Sequence, residues 1–312
     1  MKMSTHALFI AAIALLLSSC ISSGSSKTSE INNPYILKAV NHTSNGIEAM
    51  QQERWNAAER SFARALTASQ LADDTRLIAR SWYNLATAYS GANNLTKAAA
   101  AYGQSIELAK RNHDEVMHLR ALLAMRLVQQ RTEQLPANFS VQQLPQTLFS
   151  KRVWPSDLHL QAGRLAQRLE YSLLAKSAYE LVISLKESDR NSLKLKAEAH
   201  MGLALLARDA GATQPAWSEA ERALLYCRKI GAPRLTAHAL LLQGVLPQGN
   251  RAEQQDKLER ALDIYNALND LHGERKALTH LLRQAEAAAD NAAVKLHRLR
   301  LKSIEDKLGE QH

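Results

Sequence analysis

The chain reads as an all-α array of stacked helical hairpins, about seven pairs with a period near 40 residues. Three observations carry this reading. The 312 residues draw their 46% hydrophobic content from Ala and Leu, and about one residue in six is Ala, the strongest helix former. Only 12 Gly and 7 Pro are present, too few to punctuate a sandwich or barrel that turns about every 8–12 residues. A small residue also recurs inside apolar helical patterns at Gly46, Ala86, Ala124, Gly163, Gly202 and Gly244, with separations of 40, 38, 39, 39 and 42; a further step reaches Ala285. One hairpin cannot bury its apolar face alone, whereas stacked hairpins make a continuous core, so this length describes one array and not two domains. A generic helical bundle with chance spacing is the alternative, and the registered small residues weigh against it.

The first element is an address. Ala7–Leu17 runs without a polar side chain, too short to cross about 30 Å of hydrocarbon but of signal-peptide length. It ends in Leu17-Ser18-Ser19-Cys20, where small residues suit an extended peptidase substrate and the thiol is a nucleophilic handle. This resembles the lipobox of bacterial lipoproteins at every position of the pattern, although the segment before it carries a single Lys, Lys2. An ordinary secretory signal with an incidental Cys is the bland alternative. The resemblance implies that residues 1–19 are removed and that Cys20 becomes a lipidated N-terminus, with acyl chains such as palmitate holding the protein to a membrane. Ile21 follows where the enteric rule for inner-membrane retention wants Asp, which implies the outer membrane, facing the periplasm. Residues 20–33 then form a Ser-rich tether unable to bury surface.

From residue 34 to 312 the array follows. Gly46, Ala49, Trp55, Ala58, Phe62, Ala65 and Leu66 form the first pair; Trp82, Leu85, Ala86, Tyr89, Leu95, Ala98 and Tyr102 repeat the frame around a turn at Asn93-Asn94. These two units resemble the tetratricopeptide repeat, in which a large aromatic packs over a small residue of the neighbouring helix. The resemblance implies a right-handed solenoid whose first helices line a concave, peptide-accepting groove. The period exceeds the family's 34, and the expectation is that the extra residues lengthen the second helix and the loop after it. Later units keep only parts of the frame, as at Gly163, Ala166, Ala175 and Tyr179. Residues 134–157 break it with Pro136, Pro145 and Pro155, yet carry Leu135, Phe139, Val141, Leu144, Leu148, Phe149, Val153 and Trp154. Apolar residues this dense usually bury, so a distorted second helix is favoured over a docking insert. The closing helix, with Lys295, Arg298 and Lys302 around Leu296 and Leu299, reads as a polar cap before an anionic-surface binder.

The eleven histidines form no HExxH, and Cys20 and Cys227 form no CxxC. His113 and His118 would sit about 140° apart around a helix, so no metal is expected. Cys227, in an apolar helical context, reads as a core thiol. No phosphate-binding Gly loop occurs, and no nucleophile–base set is readable; the expectation is a non-catalytic chain with no cofactor beyond the lipid on Cys20. The frame places Arg80, Tyr83 and Thr87 of unit two, and Arg164 and Arg168 of unit four, on the groove. Two arginines one turn apart suit an acidic partner, and equally a solvated helix face. Thr43 and Ile47 stand where the family's carboxylate clamp needs Lys and Asn. The net charge of +9 falls to +8 (9 − 1) without Lys2; nucleic acid does not suit a lipid-tethered periplasmic address. The expected function is a protein–protein interaction scaffold of an envelope assembly, with a peptidoglycan-binding accessory or cell-wall enzyme regulator as the alternative.

Overall fold

The computed structural model describes residues 33–309 apart from 53, 152, 185, 187, 188 and 249. The signal segment, Cys20 and nearly all of the tether lie outside the described residues. Fourteen α-helices and one 3-10 turn make up the regular structure among the described residues. They pair in chain order as α1 (Pro34–Gln51) with α2 (Trp55–Leu71) and α3 (Thr75–Gly91) with α4 (Leu95–Arg111), and α5 (Glu115–Arg131) is followed by the short α6 (Thr147–Ser150). There follow α7 (Ser156–Arg168) with α8 (Ser172–Ile183), α9 (Arg190–Asp209) with α10 (Thr213–Ile230), α11 (Pro233–Val245) with α12 (Arg251–Ala267), and α13 (Leu271–Ala287) with α14 (Asn291–Gly309). Apart from the short α6, which packs mainly on α8 and lets α5 pack directly on α7, each helix packs chiefly on its neighbours in sequence, which is the arrangement of a helical solenoid.

The period comes from the turns. Helices α2 to α5 are each 17 residues long, and three residues join each to the next. Each of these half-units is therefore 20 residues, and in them the extra length beyond 34 is shared by both helices; it is not concentrated in the second helix and its loop. Asp73, Asn93, His113 and Glu133 stand at these 20-residue steps in the left-handed region, with φ of 52°, 62°, 54° and 57°. The next residue's N–H reaches back to a carbonyl of the last turn, as in Asn94 N to Tyr89 O at 2.8 Å and Asp114 N to Ala109 O at 2.9 Å. That same residue caps the following helix: Asp74 accepts from Arg76 and Leu77 N–H at 3.0 Å, and Asp114 from Met117 N–H at 2.9 Å. One residue thus ends a helix and starts the next.

Small residues and rings fill the crossings. Phe62 lies fully buried against Gly46, and Leu258 against Gly244, where a Cβ would meet Leu258 Cγ at 2.6 Å. Tyr179 is wedged between two units: a Cβ on Gly163 would approach its ring to 2.8 Å, and Gly202 meets the ring from the other side. Ala124 breaks the expected frame. It is half-buried and faces the groove, while the position 40 residues on from Ala86 is Arg126, whose guanidinium lies 4.8 Å from the centroid of the Phe139 ring. No regular second helix follows α5, so there is no helix crossing there for a small residue to serve.

In place of that helix, residues 134–157 form the 3-10 turn Val141–Gln143 and α6. Val141, Leu144, Leu148 and Phe149 are buried in one cluster with α5, α7 and α8, while Val153 is exposed. Arg120 of α5 donates to Asp157 of α7 at 2.7 and 3.1 Å, joining the two first helices across the irregular segment.

Candidate functional site

The first helices α3, α5, α7, α9, α11 and α13 share one side of the solenoid and enclose a cavity of about 830 Å³. Tyr102 of α4 and Tyr179 of α8 project between them to complete its walls. The volume falls within the roughly 300–1,000 Å³ of ligand pockets. Tyr83 and Tyr102 form an aromatic wall, with ring centroids 5.5 Å apart. Thr87 Oγ1 donates to the Tyr83 carbonyl at 2.9 Å and lies 3.2 Å from the Tyr102 hydroxyl, so it braces the wall from outside the cavity. Tyr179 donates to Gln167 Oε1 at 2.8 Å.

The charged lining is mainly basic: Arg131, Arg164, Arg168 and Lys276 face a single carboxylate, Glu198, among the described lining residues. Polar contacts between successive units hold these groups. Arg131 donates to Asn93 at 3.0 Å, Arg168 to Gln130 at 2.9 Å, and Arg164 pairs with Glu198 at 2.7 Å. Partial burial, then the charges of Arg131 and Arg164, push the Arg168 pKa below the ordinary guanidinium value.

The titratable groups present suit binding more than proton transfer. Burial pushes the Tyr179 hydroxyl up to about 12 and raises Tyr83 and Tyr102 as well, so all three stay protonated donors at neutral pH. Burial, reinforced by Lys276, pushes His238 down to about 4, leaving a neutral imidazole. The Cys227 thiol is fully buried in the outer core and pushed up to about 12 by burial. No group of three or more potential metal ligands occurs among the described residues, and no described helix is long and apolar enough to cross a membrane.

Of the groove residues expected from sequence, the fold brings Tyr83, Arg164 and Arg168 into one cavity. Arg80 does not join them: it is exposed and outside the lining, and Thr87 stands behind the aromatic wall. The cavity also takes in Arg131, Glu198, His238 and Lys276, which the repeat frame does not single out as groove residues. A signal for Arg131 was present, because Gln130-Arg131 ends α5 as Gln167-Arg168 ends α7. Nothing in the repeat frame pointed to Lys276.

A family model for the tetratricopeptide repeat matches residues 46–111, which span the last third of α1 and all of α2, α3 and α4. The structure described as "Crystal Structure of Rap Protein Complexed with Competence and Sporulation Factor" is similar in fold, with 12% identity and a TM-score of 0.65 over 89% of this chain and 77% of that one. BtubC (BKLC) from P. vanneervenii aligns with 16% identity and a TM-score of 0.46, over 90% of this chain and 94% of that one. No curated protein matches the chain.

Proposed function

We propose that this protein is a non-catalytic interaction scaffold whose concave groove receives a segment of a partner protein, and that a lipid on Cys20 tethers it to the bacterial outer membrane on the periplasmic side. The observation that carries the groove reading is the 830 Å³ cavity, built from first helices and walled by tyrosines that remain neutral hydrogen-bond donors. Tyrosine supplies large contact area with a polar tip, a composition typical of protein interfaces. The Rap structure, crystallised in complex with Competence and Sporulation Factor, is an instance of this fold holding a second molecule. The anchor rests on Leu17-Ser18-Ser19-Cys20 after an apolar run, and the envelope setting follows from that anchor.

One experiment in cells addresses both parts. A photoreactive residue at Ser90 or Leu205, which line the cavity, is expected to crosslink a discrete partner, whereas one at Glu180 on outer helix α8 is not. Crosslinks confined to Glu180 would refute the groove reading. In the same cells Cys20→Ser is expected to move the protein out of the membrane fraction; unchanged retention there would refute lipidation.

A further inference from the structure

We propose that the cavity selects an acidic peptide segment, seating a ligand carboxylate between Arg131 and Arg168, and that Glu198 competes with the ligand from within. The inference rests on the groove reading above and adds the chemistry of what the groove holds.

Arg131 and Arg168 donate to the amide oxygens of Asn93 and Gln130, at 3.0 and 2.9 Å. A neutral acceptor fixes a guanidinium without cancelling its charge, and five donors leave others free for an external anion. Both residues occupy the last turns of their helices, α5 and α7, and each amide comes from the preceding unit. The pair is therefore positioned before any ligand arrives, which lowers the ordering cost of binding. Arg164 supplies the internal comparison. It meets a carboxylate, Glu198 of the next first helix, at 2.7 Å, and that carboxylate is only 11% exposed. The cavity thus already accommodates one Arg–carboxylate contact at this site and lacks a second at the neighbouring arginines.

The remaining walls select a peptide as the carrier of the carboxylate. Tyr83, Tyr102, Met201 and Leu205 present apolar and aromatic surface to side chains, while the Gln161 and Gln167 amides suit peptide groups. Glu198 bears the wrong sign for such a ligand. Its negative charge opposes the incoming carboxylate and keeps Arg164 occupied, so its removal should tighten binding.

The test uses the purified full chain, immobilised, and a random heptapeptide pool whose retained members are sequenced by mass spectrometry. Asp and Glu should be enriched in the retained fraction, and retention should fall as salt rises. A retained acidic peptide should bind about tenfold more weakly to Arg131→Gln or Arg168→Gln, and several-fold more tightly to Glu198→Gln. Coincident thermal melts would show that these partly exposed substitutions leave the fold intact. Retained peptides without acidic bias, or arginine variants without effect, would overturn the carboxylate assignment while leaving the groove reading to the crosslinks from Ser90 and Leu205. Preferential retention of cell-wall muropeptides added to the pool would overturn the assignment to a peptide. Failure of the wild-type chain to retain any peptide would overturn this inference, and the same crosslinks would still decide the groove reading separately.

Discussion

Tyr179 does two jobs in this protein with one side chain. Its ring fills the contact between Gly163 and Gly202, and its hydroxyl, held by Gln167, finishes the cavity wall. The frame around Gly163 exposed the packing role in sequence, because a small residue opposite a ring is a local pattern. The hydroxyl's role was hidden, because it depends on where a neighbouring unit places Gln167. His238 is a parallel case with a measurable consequence. Its ring lies 5.8 Å from that of Tyr265, with Lys276, Asp270, Arg234 and Arg164 acting on it, and burial is the chief cause that lowers it from 6.5 to about 4. Between those values the unfolded chain holds a proton that the folded chain refuses, so stability is full above about 6.5 and is lost as pH falls toward 4. His238 alone accounts for up to about 3 kcal/mol of that loss. His118, His200, His280 and His297, also lowered by burial, add to it, and Glu274, raised by burial, opposes it. Urea midpoints between pH 7 and pH 4 measure the slope, and His238→Gln should flatten it.

At the scale of elements, the hairpins were readable and their partition was not. Alanine content and the spacing of Trp, Phe and Tyr against Gly or Ala identify helix pairs from local sequence alone. Helix length is decided by the turns, and most of these use a non-Gly residue in the left-handed region: Asp73, His113, Glu133, Glu170 and Ala289 carry no Gly signature. Ala289, exposed at φ 54° between α13 and α14, is the least suited of them, lacking a polar side chain to compensate. Ala289→Gly is expected to stabilise the protein by about 1 kcal/mol, whereas Ala63→Gly, exposed in the interior of α2, should cost about 0.5–1 kcal/mol. Denaturant titration of both variants checks the sign; stabilisation by the second, or loss by the first, would contradict this account of the turns. The same reasoning explains Arg126: once prolines abolish a full second helix in unit three, its partner position no longer demands a small residue and takes a cation over Phe139.

The whole molecule depends on accumulation. Each unit rotates slightly relative to the last, and the sum from the second pair to the seventh brings Lys276 of α13 to the same cavity as Tyr83 of α3, 193 positions away. Repeat spacing predicts the stack but not its curvature, so the sequence revealed Tyr83, Arg164 and Arg168 within their own units and concealed Lys276 and His238. The inner helices carry the cavity's arginines and Tyr83, and the outer helices α4 and α8 send Tyr102 and Tyr179 between them, which concentrates recognition on one side of the solenoid. The most direct test of that division is amide hydrogen exchange of the full chain with and without the partner captured through Ser90 or Leu205. Added protection concentrated in inner helices α5, α7 and α9 is the predicted result; protection concentrated in outer helices α8, α10 and α12 would contradict it.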